Sequence, residues 1–401
     1  MSEVFKAIKI TDRIYWVGAI DWKIRDFHGY DTPRGSTYNA YLVMGEKIVL
    51  LDTVKAPFKA ELLSRIASVV DPQDIDYIVS NHSEPDHTGC LKSVISEIKP
   101  KKVLASKMGK KALFSHYGIE VEAVSSGDSL DLGGVTLDFI ETRMIHWPDS
   151  MVTYIPEEKA LISQDAFGMH LATGERFAEQ FDEALLRNES DKYYSNIVLP
   201  YSLIVKKVLK DLAGLGLDIE LICPDHGPIW RGKEWVEKII GWYSEYVDQK
   251  PTMKAVVIYD TMWGSTEILA RSIAEGLIAG NASVKIINLH QSPRSEVATE
   301  LLDAGALLVG SPTLNNGIFP TVADVMTYIK GLKPQNLIGT AFGSYGWSGE
   351  SVGILEKNLD EMKVGRTQES IKIKYVPTNS DLMKCRELGL KVAADMAEKI
   401  E

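Results

Sequence analysis

Cysteine is scarce in this chain, which has three cysteines among 401 residues, none of them in a Cys-x-x-Cys pair. Cys90, Cys223 and Cys385 lie far apart in the sequence. Disulfide scaffolds and thiolate metal sites both use closely spaced cysteines. The sequence therefore argues against both, and we predict three reduced thiols.

Excess positive charge and long apolar runs are also missing. The 44 lysines and arginines are outnumbered by 55 aspartates and glutamates, which gives a net charge of -11. Nucleic acid and anionic membranes repel such a chain unless it carries a basic patch, and no basic run occurs.

No apolar run approaches the roughly 20 residues of a membrane span. The segment Met1–Thr11 carries alternating charge instead of the apolar core of a signal peptide. We expect no nucleic-acid partner, no membrane partner and a cytoplasmic location.

What the chain does contain is typical of a globular protein, with 45% hydrophobic and 25% charged residues and a length suited to about two or three domains. The first part alternates short strands with helices predicted at Phe58–Val70 and Leu91–Ile98, which indicates two sheets flanked by helices. An amphipathic helix at Lys233–Asp248 and a linker at Gln249–Lys254 end this part, so the first predicted domain covers residues 1–250. Its main predicted strands are Ile14–Val17, Tyr38–Met44, Lys47–Asp52, Tyr77–Ser80, Lys102–Ala105 and Val135–Glu141.

The second predicted domain, residues 251–401, has a more regular pattern. Each strand-like run is preceded or followed by a helical stretch, as in a doubly wound sheet of parallel strands with crossover helices. The predicted strands are Ala255–Tyr259, Val284–Leu289, Ala306–Gly310, Ile338–Ala341 and Ile371–Tyr375.

A dense set of metal-ligating residue types follows the strand that ends at Ser80. Four such side chains occupy six positions: His82, Glu84, Asp86 and His87. We predict that Pro85 and Gly89 keep the segment from becoming helical, so that the four side chains converge from a turn. Such convergence indicates a metal site.

Three later residues extend this set: His146, Asp165 and His226 lie at predicted strand ends or turns. Each alone has a plain alternative, because a single histidine is often a core or surface residue and an aspartate often caps a helix. Seven residues of metal-ligating types in this order are much less expected by chance. Together they indicate two adjacent metal centres.

This order resembles the metallo-β-lactamase superfamily, whose His-x-His-x-Asp-His loop and later His, Asp and His bind a dinuclear centre. Glu84 stands where that pattern has its second histidine. An anionic oxygen ligand makes the site harder, which favours iron or manganese over zinc. The same replacement is typical of flavodiiron proteins.

The resemblance implies a role for each residue. His82, Glu84 and His146 would bind one iron, Asp86, His87 and His226 the other, and Asp165 would bridge the two. The family position of His87 does not always point at the metal, and a water can then replace it. His28 and Tyr194 match segments near the irons, where they would either supply a proton or hydrogen bond or serve as packed supporting residues.

The second domain carries three polar loops after its strands. The first, Thr261–Thr266, precedes a helix and resembles the flavodoxin phosphate loop Thr-x-Thr-Gly-x-Thr, with Trp263 in place of the middle threonine. A helix N-terminus and Gly264 would receive one phosphate. A single phosphate loop and no Gly-x-Gly-x-x-Gly pattern favour FMN over FAD. The predicted cofactor-binding residues are Thr261, Met262, Trp263, Gly264, Ser265, Thr266, Pro312, Thr313, Leu314, Asn315, Asn316, Ser344, Tyr345, Gly346, Trp347 and Gly349.

The combination resembles flavodiiron proteins over nearly the whole chain. It implies a metallo-β-lactamase-like αββα sandwich, followed by a flavodoxin-like doubly wound parallel sheet, in an enzyme that reduces dioxygen to water, nitric oxide to nitrous oxide, or both. Electrons would pass through FMN. Without a Cys-x-x-Cys pair for a fused rubredoxin, the donor would be separate, either rubredoxin or a reduced deazaflavin coenzyme. The family also implies a head-to-tail homodimer or homotetramer.

Two alternatives remain open at this point. One is a metal-dependent hydrolase with a regulatory flavodoxin domain, and the other is an FMN electron carrier whose metal fold is structural. Zinc without flavin would favour the first, and flavin without metal the second. Redox chemistry is preferred because zinc cannot change oxidation state, so a zinc hydrolase would gain little from a fused flavin.

Overall fold

The computed structural model describes residues 4–400, so residues 1–3 of the predicted first domain and Glu401 lie outside the described residues. The chain forms two compact units. The first unit runs to Tyr193 and includes Tyr201–Ser244, whereas the second consists of Tyr194–Pro200 and the chain from Glu245 onward. The division falls before the predicted linker and gives one short upstream segment to the second unit. The predicted boundary after residue 250 stays a prediction.

The first unit is built from short strands that form two large sheets. A seven-stranded sheet has the order β1-β2-β7-β8-β9-β10-β11, and a six-stranded sheet has the order β12-β13-β14-β15-β16-β17. Two further pairs, β3–β6 and β4–β5, lie outside these sheets. The strands are β1 (Ile8–Lys9), β2 (Ile14–Trp16), β3 (Ala19–Asp21), β4 (Asp26–Phe27), β5 (Tyr30–Asp31), β6 (Ser36–Tyr38), β7 (Tyr41–Met44), β8 (Ile48–Leu51), β9 (Ile75–Ser80), β10 (Lys102–Ser106), β11 (Glu122–Val124), β12 (Ser129–Asp131), β13 (Thr136–Glu141), β14 (Met151–Ile155), β15 (Ala160–Gln164), β16 (Leu221–Pro224) and β17 (Trp230–Arg231).

Helices cover the outer faces of these two sheets. Leu62, Leu91 and Leu113 of α1, α3 and α4 pack on the seven-stranded sheet, and Val205 of α6 and Tyr243 of α7 lie over the six-stranded sheet. The helices of this part are α1 (Lys59–Ala67), α2 (Pro85–Thr88), α3 (Leu91–Ile98), α4 (Lys107–Tyr117), α5 (Glu183–Tyr193), α6 (Ser202–Gly214) and α7 (Lys233–Asp248).

A central core joins the inner faces of the two sheets. Trp16 and Tyr41 from one sheet belong to the same buried cluster as Phe139, Met151 and Ile162 from the other. Alternation of inward and outward residues along each strand supplies one apolar face for this core and another for the helices. The predicted αββα sandwich is confirmed.

Most predicted elements of this unit occur close to their expected positions, and one is interrupted. The run predicted as a single strand from Tyr38 to Met44 breaks at Asn39. The Asn39 N–H donates to the Asp225 carbonyl, and its side-chain amide donates to the Pro224 carbonyl at 2.7 Å while accepting from Trp16 Nε1 at 2.8 Å. These bonds turn the backbone out of the strand ladder and fix it next to the loop that carries His226.

The prediction for the loop after β9 was wrong in one respect, because Pro85–Thr88 forms a single helical turn. Proline is compatible with the first position of a helix, where its missing N–H has no partner to lose. Gly89 ends this turn with φ −59°, so it is not needed for a left-handed conformation. A Cβ at Gly89 would lie 2.5 Å from the Pro85 carbonyl oxygen and 2.8 Å from the Ala56 nitrogen. Glycine is therefore required there by close packing.

The second unit contains one parallel sheet. Its order is β19-β18-β20-β21-β22, with β23 also pairing with β21. Two short strands share the fifth position of the sheet: β22 pairs with the start of β21, and β23 pairs with its end. The strands are β18 (Lys254–Tyr259), β19 (Ser283–Asn288), β20 (Ala306–Gly310), β21 (Ile338–Tyr345), β22 (Gly365–Arg366) and β23 (Ile371–Lys374).

Helices lie on both faces of this sheet. One buried cluster joins Val256 and Leu307 to Val325 and Leu355, and another joins Val257 and other strand residues to residues of α8 and α12. The strand order is that of the flavodoxin-like doubly wound fold, which confirms the prediction. The helices are α8 (Ser265–Ala279), α9 (Arg294–Glu300), α10 (Pro320–Leu332), α11 (Ser351–Glu361) and α12 (Asn379–Ile400).

The segment Tyr194–Pro200 contributes to the second unit although it lies far upstream in the sequence. Residues Tyr194–Val198 form a π-helical turn directly after α5. The Asn196 amide donates to the Ser295 carbonyl at 3.2 Å, and Tyr328 Oη donates to Asn196 Oδ1 at 2.8 Å. The second unit is therefore completed by a piece of chain from within the first half.

Among the described helices, none is both long enough and apolar enough to cross a membrane.

The contact between α8 and α12 yields a stability prediction. A Cβ at Gly389 would lie 2.1 Å from the Ile273 carbonyl oxygen, whereas a Cβ at Gly353 on α11 would meet no atom within 4 Å. We expect Gly389→Ala to lower the free energy of unfolding by about 1–3 kcal/mol because the helices must move apart. The control Gly353→Ala should raise it by about 0.5–1 kcal/mol. Urea unfolding measures both, and equal effects of the two changes would contradict this account of the helix contact.

Candidate metal centre and flavin-binding edge

The seven predicted metal ligands lie together in the first unit as two groups, which we call the metal-ligand cluster. The first group contains His82, Glu84, His146 and Asp165. His146 Nε2 is 3.1 Å from both Glu84 Oε2 and Asp165 Oδ2. His82 Nε2 lies 3.1 Å from Glu84 Oε2 and 3.3 Å from Asp165 Oδ2. Four ligand atoms thus surround one point.

The second group contains Asp86, His87 and His226. His226 Nε2 lies 3.3 Å from Asp86 Oδ2 and 3.3 Å from Asp165 Oδ1. His87 Nε2 lies 3.1 Å from Asp165 Oδ1 and 3.5 Å from Asp86 Oδ1. His87 is therefore aimed into the cluster in this structure.

Asp165 is the residue that both groups share. Its Oδ2 faces the first group and its Oδ1 faces the second. Burial alone would raise the pKa of Asp165, but the nearby charge of His87 and the hydrogen bond with His146 hold that pKa well below its usual range. The carboxylate thus offers one oxygen to each group.

The backbone before Asp165 fixes this carboxylate. Gln164 ends β15 with φ +50°. Its side-chain amide donates to the Ile145 carbonyl at 2.6 Å, and its Oε1 accepts from the Asp165 N–H at 2.7 Å. One side chain thereby ties the loop of Asp165 to the loop of His146.

The chemistry of the cluster fits two bound cations. Both carboxylate oxygens of Asp86, Oδ1 of Asp165 and both ring nitrogens of His87 are buried without a hydrogen-bond partner among the described residues. Buried polar atoms normally have such partners, and buried charge without compensation is costly. The lone pairs of these oxygen and nitrogen atoms point at two common positions, where two metal ions would accept them. The mixture of imidazole and carboxylate suits iron.

Several supporting residues were missed by the sequence analysis. His226 Nδ1 donates to the Thr37 carbonyl at 2.6 Å, which leaves Nε2 bare for a metal. Asp149 Oδ2 accepts from the Ser83 N–H at 2.6 Å and lies 3.4 Å from His82 Nδ1. Asp225 Oδ2 lies 3.5 Å from His87 Nδ1. The one available sequence signal was weak, since Asp149 and Asp225 lie within three residues of a predicted ligand.

His28 and Tyr194, the two predicted proton donors, have different surroundings. His28 Nε2 lies 2.7 Å from Glu84 Oε1, the oxygen that is not part of the ligand group. The hydrogen bond with Glu84 raises the pKa of His28. Tyr194 is buried in the second unit, with its ring centroid 4.8 Å from that of Tyr246. A catalytic role for either residue stays a prediction.

Tyr193 and His170 are buried neighbours of His226 that the sequence analysis did not select. The Tyr193 ring centroid lies 5.2 Å from that of His170 and 6.2 Å from that of His226. Burial lowers the pKa of His170, with a further contribution from His226, and His170 Nδ1 lies 2.8 Å from Ser36 Oγ. His170 thus packs against His226, with ring centroids 4.6 Å apart.

The predicted flavin residues meet at one edge of the second unit, which we call the flavin edge. Parallel strands β18, β20 and β21 are adjacent, so the loops that follow them share the carboxyl end of the sheet. The predicted residues fall on these three loops, at the start of α8 or at the end of β21: Thr261, Met262, Trp263, Gly264, Ser265 and Thr266; Pro312, Thr313, Leu314, Asn315 and Asn316; Ser344, Tyr345, Gly346, Trp347 and Gly349.

The first of these loops has the form of a phosphate cradle. Gly264 adopts φ +85° immediately before α8, and its N–H donates to Thr261 Oγ1 at 3.1 Å. A Cβ at Gly264 would meet no protein atom within 4 Å, so a cofactor group has room beside the helix N-terminus. Thr266 Oγ1 instead lies 2.9 Å from Ser344 Oγ and joins the first loop to the third.

The other residues of the flavin edge divide into turn formers and exposed aromatics. Asn315 and Asn316 both have positive φ between Leu314 and Gly317, whose backbones bond to each other, which is a tight turn that favours asparagine. The Asn316 amide donates to Glu350 at 2.9 Å. Trp263 is 94% exposed and Trp347 is 88% exposed. Large exposed aromatic rings of this kind suit a planar ligand or a partner surface.

Comparison with known families agrees with both units. Residues 37–227 match the ODP family beta lactamase model, and residues 257–389 match the flavodoxin model. The fold and the site therefore define a protein that joins a β-lactamase-like metal-binding unit to a flavodoxin-like, FMN-binding unit.

Similar proteins extend over the full length of both units. The chain is 47% identical to the rubredoxin-oxygen oxidoreductase of Megalodesulfovibrio gigas over 98% of this chain and 99% of that protein. It is 44% identical to the nitric oxide reductase of Moorella thermoacetica over 98% and 99%. The solved flavodiiron protein from Giardia intestinalis gives a TM-score of 0.96 at 32% identity, covering 100% of this chain and 99% of that chain. The chain belongs to the flavodiiron protein family and is an oxidoreductase.

The supporting carboxylate Asp149 generates a prediction about metal affinity. Asp149→Ala removes the acceptor that orients His82 and the Ser83 N–H, so iron(II) affinity should fall by about 10–100-fold. Asp149→Asn keeps a neutral acceptor and should give an intermediate value. Competition with a chelator measures the affinity, and exposed Asp211, which pairs with Lys207, provides the matched control Asp211→Ala. Equal affinities in all three variants would show that Asp149 does not orient the ligand.

Proposed function

We propose that this chain is a flavodiiron oxidoreductase that reduces dioxygen to water, nitric oxide to nitrous oxide, or both. The observation that supports it is the arrangement of two ligand groups around one shared carboxylate, Asp165. Two irons bound there would supply one-electron redox chemistry at adjacent metals, with FMN relaying electrons from a donor.

The geometry supports the ligand roles that the family resemblance implies. His82, Glu84 and His146 would hold one iron, Asp86, His87 and His226 the other, and Asp165 would bridge them. The three acidic ligands keep the site hard and anionic, which favours iron over zinc. A flavodoxin-like unit in the same chain favours redox chemistry over hydrolysis, since a hydrolase would gain little from a flavin.

His28 is well placed to hold a proton at the edge of the cluster. Its Nε2 contacts Glu84 Oε1, and its side chain is 69% exposed, so it can exchange protons with solvent. Both proposed reductions consume protons as well as electrons. His28 would thereby act as a proton donor next to the first ligand group, while Tyr194 would act from a packed position.

The flavin edge would bind FMN through its first loop. The N-terminus of α8 and the hydroxyls of Thr261 and Ser265 would receive the phosphate, and Gly264 would allow the backbone to approach it. Trp347 or Tyr345 would cover a face of the ring system. The turn at Asn315 and Asn316 would place amide groups at the ring edge.

The electron donor and the assembly are also part of this proposal. One relative is named for rubredoxin, and a separate rubredoxin or a reduced deazaflavin coenzyme would serve as donor. A head-to-tail homodimer or homotetramer in the cytoplasm would bring the FMN of one subunit beside the irons of another. Relatives of nearly equal identity carry oxygen and nitric oxide names, so assays with both gases decide the substrate.

The bridging role of Asp165 generates a prediction about metal content. The purified protein should contain about two irons per chain, and Asp165→Ala should lower both the iron content and the turnover, because no remaining ligand offers an oxygen to both metals. Elemental analysis and gas consumption measure these effects. The control Asp211→Ala should retain about two irons. Full iron content and full activity in Asp165→Ala would show that Asp165 is not a bridge.

The flavin edge generates a second prediction. Gly264→Val forces a β-branched residue to adopt φ +85°, so FMN should bind more weakly, which fluorescence titration detects. Donor-driven steady-state reduction should collapse, whereas chemically reduced protein should still consume gas in a single turnover. The matched control Gly331→Val lies on α10, where a Cβ meets no atom within 4 Å. Full donor-driven turnover after loss of flavin would exclude FMN as the obligatory relay.

A further inference from the structure

A small apolar cavity lies inside the first unit beside the metal-ligand cluster. It has a volume of about 20 Å³, and a cavity needs roughly 10–15 Å³ to hold a molecule the size of water. The cavity is therefore large enough for a diatomic molecule. It lies between α6 and the six-stranded sheet, and its lining residues are Thr142, Ile145, Val152, Leu161, Ala166, Phe167, Val205, Val208, Leu209, Leu212 and Tyr243.

The wall of this cavity includes residues next to two metal ligands. Ile145 directly precedes His146, and Ala166 directly follows Asp165. His146 Nε2 and Asp165 Oδ2 are only 3.1 Å apart, so both chain segments that lead to this pair also line the cavity. The cavity wall is therefore one residue along the chain from His146 and one residue from Asp165.

Water is a poor occupant of such a space. Apart from Thr142 and the Tyr243 hydroxyl, the side chains of the lining are apolar, and the Tyr243 oxygen already accepts from the Phe167 N–H at 2.8 Å. Thr142 Oγ1 is buried and has no hydrogen-bond partner among the described residues. A buried water makes two to four hydrogen bonds, and the side chains of this lining offer only the two hydroxyls of Thr142 and Tyr243, which is the minimum. A neutral diatomic gas requires none.

We propose that this cavity is a binding site for dioxygen or nitric oxide on their route to the metal-ligand cluster. The proposal rests on the proposed function, because that function supplies the two gases as substrates. Apolar gases partition from water into apolar space, so the cavity concentrates the substrate next to His146 and Asp165. Partly buried Val208, Leu209 and Leu212 of α6 form its outer wall, which places the entry beneath this helix.

Xenon provides a probe that is independent of turnover, since dry apolar cavities bind it. Crystals of the metal-loaded protein under xenon should show an anomalous peak between α6 and the six-stranded sheet. Val205→Leu adds a methylene group to the cavity and should abolish the peak, whereas Leu209→Ala enlarges the cavity and should strengthen it. Leu203 lies on the same helix and is 72% exposed, so Leu203→Ala is the matched control and should leave the peak unchanged.

Kinetics test whether the cavity lies on the substrate route. Val205→Leu should raise KM for the gas severalfold with kcat and iron content unchanged, because access is reduced while the ligands stay in place. The absence of xenon from the wild-type cavity would overturn the proposal, and so would bound xenon combined with an unchanged KM in Val205→Leu. If the wild-type protein reduces neither gas, the proposed function fails, and the xenon pattern still decides whether the cavity accepts an apolar gas.

Discussion

The structure of the first unit depends on the convergence of three buried carboxylates and four histidines at two neighbouring points. Such a set is unfavourable in a protein interior unless positive charge is supplied. This cost is easiest to understand at Asp165, which is buried and whose two oxygens face different ligand groups. Bound cations would offset this cost, so metal binding would add to the stability of the loops that carry the ligands.

Rigid surroundings keep the loops in position. Several residues near the cluster adopt left-handed backbone conformations, including Asp52, Gln164 and Phe167. Such conformations are unfavourable for these residue types and persist where contacts determine them. Asp52 accepts from both the backbone and the side-chain amide of Asn81, and Tyr243 accepts from the Phe167 N–H. These hydrogen bonds hold the backbone in conformations that direct the neighbouring side chains toward the predicted metal positions.

Much of this arrangement was predictable because its signals are local. Four metal-ligating residues within six positions mark the loop that begins at His82. Regular alternation of strand-like and helical runs marks the flavodoxin-like sheet. The helical turn at Pro85–Thr88 was missed because proline has different effects at the first and at interior helix positions. Asp149 and Asp225 carry only a weak local signal, their closeness to predicted ligands, since their partners are determined by tertiary packing. The same applies to Tyr193, which adjoins His226 although the sequence favoured Tyr194.

The segment Tyr194–Pro200 limits how the chain can be divided into two independent fragments. Asn196, near the midpoint of the chain, bonds with Ser295 and Tyr328 of the second unit. A cut at any single position between the halves leaves the flavodoxin-like unit without this piece and leaves an unpaired strip on the other fragment. The boundary between the two units therefore cannot be drawn at a single position of the sequence.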